Sequence, residues 1–131
     1  IEPSTRRRLC SKKMMNRDRV YFLDTYVAGR IYGDPDLAWP HLRVGQRISL
    51  VREDDNEKDP GAIALHVRYG DETAKLGYVP LRKNQPLALL LDMGWGEAFE
   101  ATISKLDPTA TYDRQIGVTI RILRNNRYGK P

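Results

Sequence analysis

Apolar residues in this chain fall into short runs separated by clusters of Gly, Pro, Asn and Asp. The run Val20-Tyr21-Phe22-Leu23-Asp24-Thr25-Tyr26-Val27 is rich in aromatic and β-branched residues, which suit a pleated, half-buried surface and predict a first strand. Gly29-Arg30-Ile31-Tyr32 follows, then a turn at Gly33-Asp34-Pro35-Asp36. A second strand is expected near Arg47 to Arg52. Ile63, Leu65 and Val67 alternate with Ala64, His66 and Arg68, the period of a half-buried strand. Gly70-Asp71-Glu72-Thr73 reads as a hairpin turn, and Lys75 to Pro80 returns as a fourth strand. Asn84-Gln85-Pro86 is expected to open a helix, with Asn as its cap and Pro in its first turn. Leu87, Leu90 and Leu91 form its apolar face, and Gly94 stops it. Ala98 to Leu106 and Gly117 to Leu123 make two more strands around a polar hairpin, Asp107 to Asp113. Six strands and one substantial helix predict a mainly β (α+β) domain, a small closed or partly open barrel.

Length and composition fit one core. The chain has 131 residues, 40% of them hydrophobic, and its longest apolar run, Leu87 to Leu91, is far below the roughly 18 residues of a membrane span. The first residues are charged and lack the apolar stretch of a secretory signal. A single cysteine, Cys10, allows no internal disulfide, so a reducing compartment such as bacterial cytoplasm or a nucleus is expected.

Charge divides the chain. Residues 1–19 carry seven Lys/Arg and two acids, a local charge of +5. They have no apolar period and read as a basic arm. Residues 20–120 carry 11 basic and 15 acidic residues, a charge of −4, and no acid follows Arg121. The pI of about 9.5 therefore comes from the two ends, residues 1–19 and the tail 125–131, which flank a domain at 20–124. Basic ends attract nucleic acid without reading it, and they also serve simply as solvated tails.

Enzymatic motifs are missing. The chain has no G-x-x-x-x-G-K-[ST] phosphate loop and no G-x-G-x-x-G after a strand. Cys10, His41 and His66 do not have the spacing of a zinc site. His66 reads as a structural histidine, His41 as exposed, and no Ser or Cys nucleophile has a recognisable base. A non-catalytic protein without cofactors is expected.

Three constellations remain. Five carboxylates fall within Glu53-Asp54-Asp55-Asn56-Glu57-Lys58-Asp59, before Pro60-Gly61 and the strand from Ala62. Their oxygens suit a hard cation, although the spacing is not that of an EF-hand. Asp59 also suits a turn, accepting backbone N–H groups. Asn56 and Asp59 would equally suit a groove, addressing base edges or sugar hydroxyls. The second constellation, Arg30 and Tyr32, sets a cation beside a ring able to stack on a base or on the barrel itself. The third, Leu76-Gly77-Tyr78-Val79-Pro80-Leu81-Arg82-Lys83, delivers Tyr78 and two cations to the start of the helix.

In this order the pieces resemble the HIRAN domain family. The resemblance rests on Gly29 and Tyr32, Val44-Gly45, Leu50-Val51-Arg52-Glu53, Asn56, Asp59, Ala62-Ile63-Ala64 and Leu76-Gly77-Tyr78-Val79-Pro80, and covers residues 20–123. It implies a small OB-like/SH3-like β-barrel with one or two helices that binds single-stranded DNA at a free 3′ end. It further implies a stand-alone bacterial module, with a role in DNA repair or at stalled replication, nucleoid association and protein partners in repair. By position, Tyr32 would stack on the terminal base. Asn56 and Asp59 would meet the last nucleotide, Asp59 near its 3′-hydroxyl, and Tyr78 stands where some members place a DNA-contacting histidine. Arg30, Arg52, Lys58, Arg82 and Lys83 complete the expected nucleic-acid-binding set. The sequence departs from the family at Lys58, where an aromatic is common, and at Ile31 and Gly33, where DNA-end binders carry Arg and Tyr. A protein-interaction barrel, favoured by the acidic middle, and a divalent-metal domain on the acidic loop stand as alternatives.

Overall fold

A computed structural model describes residues 18–29 and 38–125. The turn expected at Gly33 to Asp36, the arm up to residue 17 and the tail beyond 125 lie outside these. Arg19, assigned to the arm from sequence, opens the first strand.

Six strands form one antiparallel sheet: β1 (Arg19–Tyr26), β2 (Arg47–Arg52), β3 (Ile63–Tyr69), β4 (Glu72–Tyr78), β5 (Phe99–Leu106) and β6 (Ile116–Leu123). Their spatial order is β1-β6-β5-β2-β3-β4. One helix, α1 (Leu81–Asp92), joins β4 to β5 through a short turn at Gly96–Ala98. The mainly β, OB-like expectation holds, with the sheet curled but not fully laddered shut. Its two edges meet at a single bridge between Ala28, just past β1, and Tyr78 at the end of β4. That bridge consists of two backbone hydrogen bonds, Ala28 N–H to Tyr78 O at 2.8 Å and Tyr78 N–H to Ala28 O at 2.7 Å.

Alternation on β2 to β4 sends Ile48, Ile63, Leu65, Val67 and Leu76 into a core shared with Ile103, Val118, Ile120 and Val27. Helix α1 covers this core with Leu87 and Ala88; full burial of one such leucine contributes about 1.5–3 kcal/mol. The helix begins four residues earlier than its sequence signals suggest, with Pro80 rather than Asn84 at the cap position. Asn84 lies inside the helix, 2% exposed, and its side chain serves a tertiary contact described below. Pro86 sits inside the helix rather than in its first turn, on an exposed face where the ring meets solvent and an unbonded carbonyl one turn back can be hydrated.

The β3–β4 register shifts between Leu65 and His66, so that Leu76 is an extra residue in β4. Without this bulge Lys75 and Tyr78, three apart, would face opposite sides of the sheet. With it, Lys75 stands opposite His66 and Tyr78 opposite Ala64, on one face. The next residue to the bulge, Gly77, has φ +155° and runs against the opposite edge. A Cβ there would overlap the Ala28 carbonyl oxygen and lie 2.6 Å from Val27 Cγ1. Gly77→Ala is therefore expected to lower stability by about 2–4 kcal/mol through overpacking and backbone displacement. Urea unfolding checks this, and an unchanged midpoint would show that the edges can separate without cost.

Candidate nucleic-acid interface

The loop from Glu53 to Gly61 is built by its own side chains. Asn56 Oδ1 accepts backbone N–H bonds from Lys58 (3.0 Å) and Asp59 (3.1 Å). Asp59 Oδ1 accepts the Gly61 N–H at 3.0 Å, and Asn84 Nδ2 of the helix donates to Asp59 Oδ2 at 2.7 Å. The structural-turn reading of Asp59 thus describes the geometry. Its carboxylate is fixed at both oxygens yet keeps unused lone pairs, since an ionised carboxylate offers about four acceptor sites.

The acids of the loop diverge. Glu53 turns to Lys75, with Nζ to Oε2 at 2.8 Å, and to Tyr78, whose hydroxyl donates to Oε1 at 2.8 Å. Asp54, Asp55 and Glu57 are exposed. Among the described residues no three Asp, Glu, His or Cys side chains are placed to hold a metal. The hard-cation expectation for this loop is corrected accordingly: Glu53 and Asp59 serve separate partners, and the three exposed acids complete no cluster with them.

Lys75, Glu53 and Tyr78 form a closed set. Lys75 Nζ also donates to the Tyr78 hydroxyl at 3.0 Å and stands 5.0 Å from the ring centroid. Hydrogen bonding from Lys75, with help from Tyr78 and Asn56, holds the Glu53 carboxyl below its ordinary range. The bond to Glu53 in turn raises the Lys75 ammonium above its own.

Arg52 points elsewhere. It shares the strand face of Ile48 and Leu50, the side covered by α1, because side chains alternate. Its guanidinium takes both carboxylate oxygens of Asp92, at 2.8 and 3.1 Å. It also donates to the carbonyls of Ala62 (2.7 Å) and Pro60 (3.0 Å). The expected ligand residue Arg52 is thus a clamp joining the loop to the end of the helix. Arg52 in turn holds the Asp92 carboxyl below the usual carboxylate range.

Asn56, Lys58, Asp59 and Tyr78 do converge. With Ala28, Gly29 and Leu81 they line a depression of about 290 Å³ on the barrel rim. A second depression, about 530 Å³, is lined by Arg82, Lys83, Arg114 and Tyr26 with a single acid, Asp113, and shares Ala28 and Leu81 with the first. Lys83 Nζ is bonded to the Asp24 carbonyl at 3.1 Å, while Arg82 is exposed. The ring of Tyr26 lies within 5.6 Å of Lys105 Nζ and 5.8 Å of the Arg114 guanidinium. Tyr26 and Arg114 are not among the contact residues that the sequence singles out. Arg114 sits in the β5–β6 hairpin, and no local pattern links it to Tyr26. Arg30 and Tyr32 lie outside the described residues. Gly29, with φ +62°, ends the described part of that segment at the rim of the first depression.

Comparison with known proteins identifies the family and the fold. The HIRAN domain family matches residues 20–122. The chain belongs to the HIRAN domain family. A protein from Lactobacillus plantarum, solved as a crystal structure, is similar over 82% of this chain and 97% of its own, with 29% identity and a TM-score of 0.66. The HIRAN domain of human HLTF shares the fold at 16% identity, with a TM-score of 0.58 over 84% of this chain and 83% of that one. None of the curated proteins compared matches the chain in sequence. As a HIRAN domain the chain is a nucleic-acid-binding module.

Two expectations follow. Because the Glu53 carboxyl is held below its unfolded value, its contribution is present at neutral pH and lost as pH falls through the acid range. The Lys75 contribution is lost only on the alkaline side, above the ordinary lysine value. Glu53→Gln is expected to cost about 1 kcal/mol at neutral pH, and this difference from the parent should shrink towards zero in acid. Urea unfolding at neutral and acid pH measures it. Arg52→Ala should cost about 1–3 kcal/mol, because two loop carbonyls and Asp92 lose a charged donor. A thermal melt that does not move would show the clamp to be dispensable.

Proposed function

We propose that this HIRAN domain binds single-stranded DNA at a free 3′ end, with the terminal nucleotide in the depression bounded by Asn56, Asp59 and Tyr78. The convergence of these three residues, from a loop and a strand far apart in sequence, in one depression is the observation that carries the reading. A carboxylate only accepts hydrogen bonds. Asp59 therefore suits the hydroxyl of an unmodified end and repels a terminal phosphate. The Tyr78 ring offers a stacking face for an unpaired base, worth roughly 1–3 kcal/mol. From there the strand would pass Leu81 into the second depression, where Arg82, Lys83 and Arg114 supply charge for its phosphates and Tyr26 a further ring. Lys58, on the wall of the first depression, places a cation where many relatives carry an aromatic, which favours phosphate contact over a second stack. The module takes no part in chemistry itself on this reading. A role in repair of exposed DNA ends in the bacterial cytoplasm would follow from the ligand.

The test compares labelled oligonucleotides ending in a 3′-hydroxyl or a 3′-phosphate. The parent should prefer the hydroxyl, and Asp59→Asn should reduce that preference by on the order of tenfold, the scale of one hydrogen bond to a charged group. Tyr78→Ala should weaken both ligands by about 1–3 kcal/mol. Equal affinity for the two ends in the parent protein would end the proposal of 3′-end recognition.

A further inference from the structure

The turn that leads into β2 is flanked by two depressions that the rim groove does not use. One, about 590 Å³, is lined by His41, Arg43, Gln46, Arg68 and Tyr69 with no acid in its wall. The other, about 490 Å³, is lined by Arg19, Arg47 and Arg121 with a single acid, Glu100. Five arginines thus surround one turn. β2 runs from Arg47 away from this turn to Arg52 and the acidic loop, about 17 Å at the rise of an extended strand. The summed charge of the barrel therefore hides a local gathering of guanidinium groups at this turn, beside the exposed Asp71 and Glu72 of the β3–β4 hairpin.

These arginines are held differently on the two sides. Glu100, 5% exposed, binds both Arg19, at 3.0 Å, and Arg47, which fixes two forks while their outer faces remain in solvent. One carboxylate neutralises only one of the two. Arg43 and Arg68 are exposed, and neither meets a carboxylate within ion-pair distance among the described residues. Arg68 makes only a long bond to the Gly70 carbonyl, 3.4 Å. Gln46 braces this side, accepting the Arg43 N–H at 2.9 Å and donating to the Arg68 carbonyl. His41 stacks on Tyr69 with ring centroids 4.5 Å apart and planes within 9°, which gives the depression a rigid aromatic floor.

We propose that this arginine belt is a second nucleic-acid contact that grips the phosphodiester backbone of a strand without reading its bases. Guanidinium forks match phosphate geometry and are weakly hydrated, and five of them spread over two depressions suit a chain of phosphates rather than one small anion. The belt works whether or not the rim groove recognises an end.

The experiment uses the full chain and an oligonucleotide of about 15 nucleotides with its 3′ end blocked, so that the rim groove's preference is removed. Arg43→Gln with Arg68→Gln removes two cations that bind no carboxylate, and a urea melt checks that the variant folds. If each arginine neutralises one phosphate, affinity at low salt falls by on the order of tenfold. The plot of log affinity against log salt becomes shallower by about 1.4. Arg43→Lys with Arg68→Lys keeps the charge and restores most of the slope, which covers the case of a poorly folded Gln variant. An unchanged affinity and slope in the Gln variant overturns the belt. So does competition by polyglutamate as effective as by the oligonucleotide, since that would reduce the surface to a general acid binder. The preference for a 3′-hydroxyl over a 3′-phosphate is read separately on the parent protein; its absence counts against the rim groove and leaves the slope test of the belt untouched, so a failed rim groove and a failed belt give different results.

Discussion

Two backbone hydrogen bonds between Ala28 and Tyr78 draw the edges of the sheet together, and the rest of the architecture follows from that meeting. Strands β1 and β4 are the outermost of the six, and among the described residues neither has another strand on its outer side. Their contact curls the sheet around its core and sets Ala28 and Gly29 beside the ring of Tyr78. Only a residue without a side chain allows so close an approach, which is why Gly77 stands where it does. Both rim depressions have Ala28 in their walls, so the geometry of closure is also the geometry of the groove. A flatter sheet with the same sequence would keep its core contacts and lose the cradle.

Much of the fold could be read from local pattern because strands announce themselves by period. β2, β3 and β5 lie within a residue or two of where alternation and turn residues put them. The helix start was misplaced because Asn84-Gln85-Pro86 has the chemistry of a cap. The physical use of Asn84 is a bond to Asp59, 25 residues earlier, and such a tertiary demand leaves no local trace. The same limit applied to Arg52. In sequence it borders an acidic loop and looks available, whereas the register turns it under the helix to Asp92. For Asn56, Asp59 and Tyr78 the family resemblance placed the residues together. The bulge at Leu76, which puts Tyr78 and Lys75 on one face, has no sequence signature apart from the glycine next to it.

The distribution of charge also escaped a linear reading. Summed over residues 20–120 the acids outnumber the bases, which argued against a polyanion as partner. Folding redistributes the two signs. Glu53 is taken by Lys75, Asp59 by Asn84 and a backbone amide, and Asp92 by Arg52, while of the arginines at the β2 turn only Arg19 and Arg47 share a carboxylate, Glu100. Net charge sets the long-range attraction, but a strand that docks meets local fields. Those fields differ between the rim and the opposite end by more than the sum suggests.

The hydroxyl of Tyr78 is held between Glu53 and Lys75, at 2.8 and 3.0 Å. A tyrosine anchored at its tip has surrendered its torsional freedom when the chain folds, before any guest arrives. In the proposed binding mode a flat heterocycle stacked against it freezes no further rotor on the protein side, and that entropy saving adds to affinity.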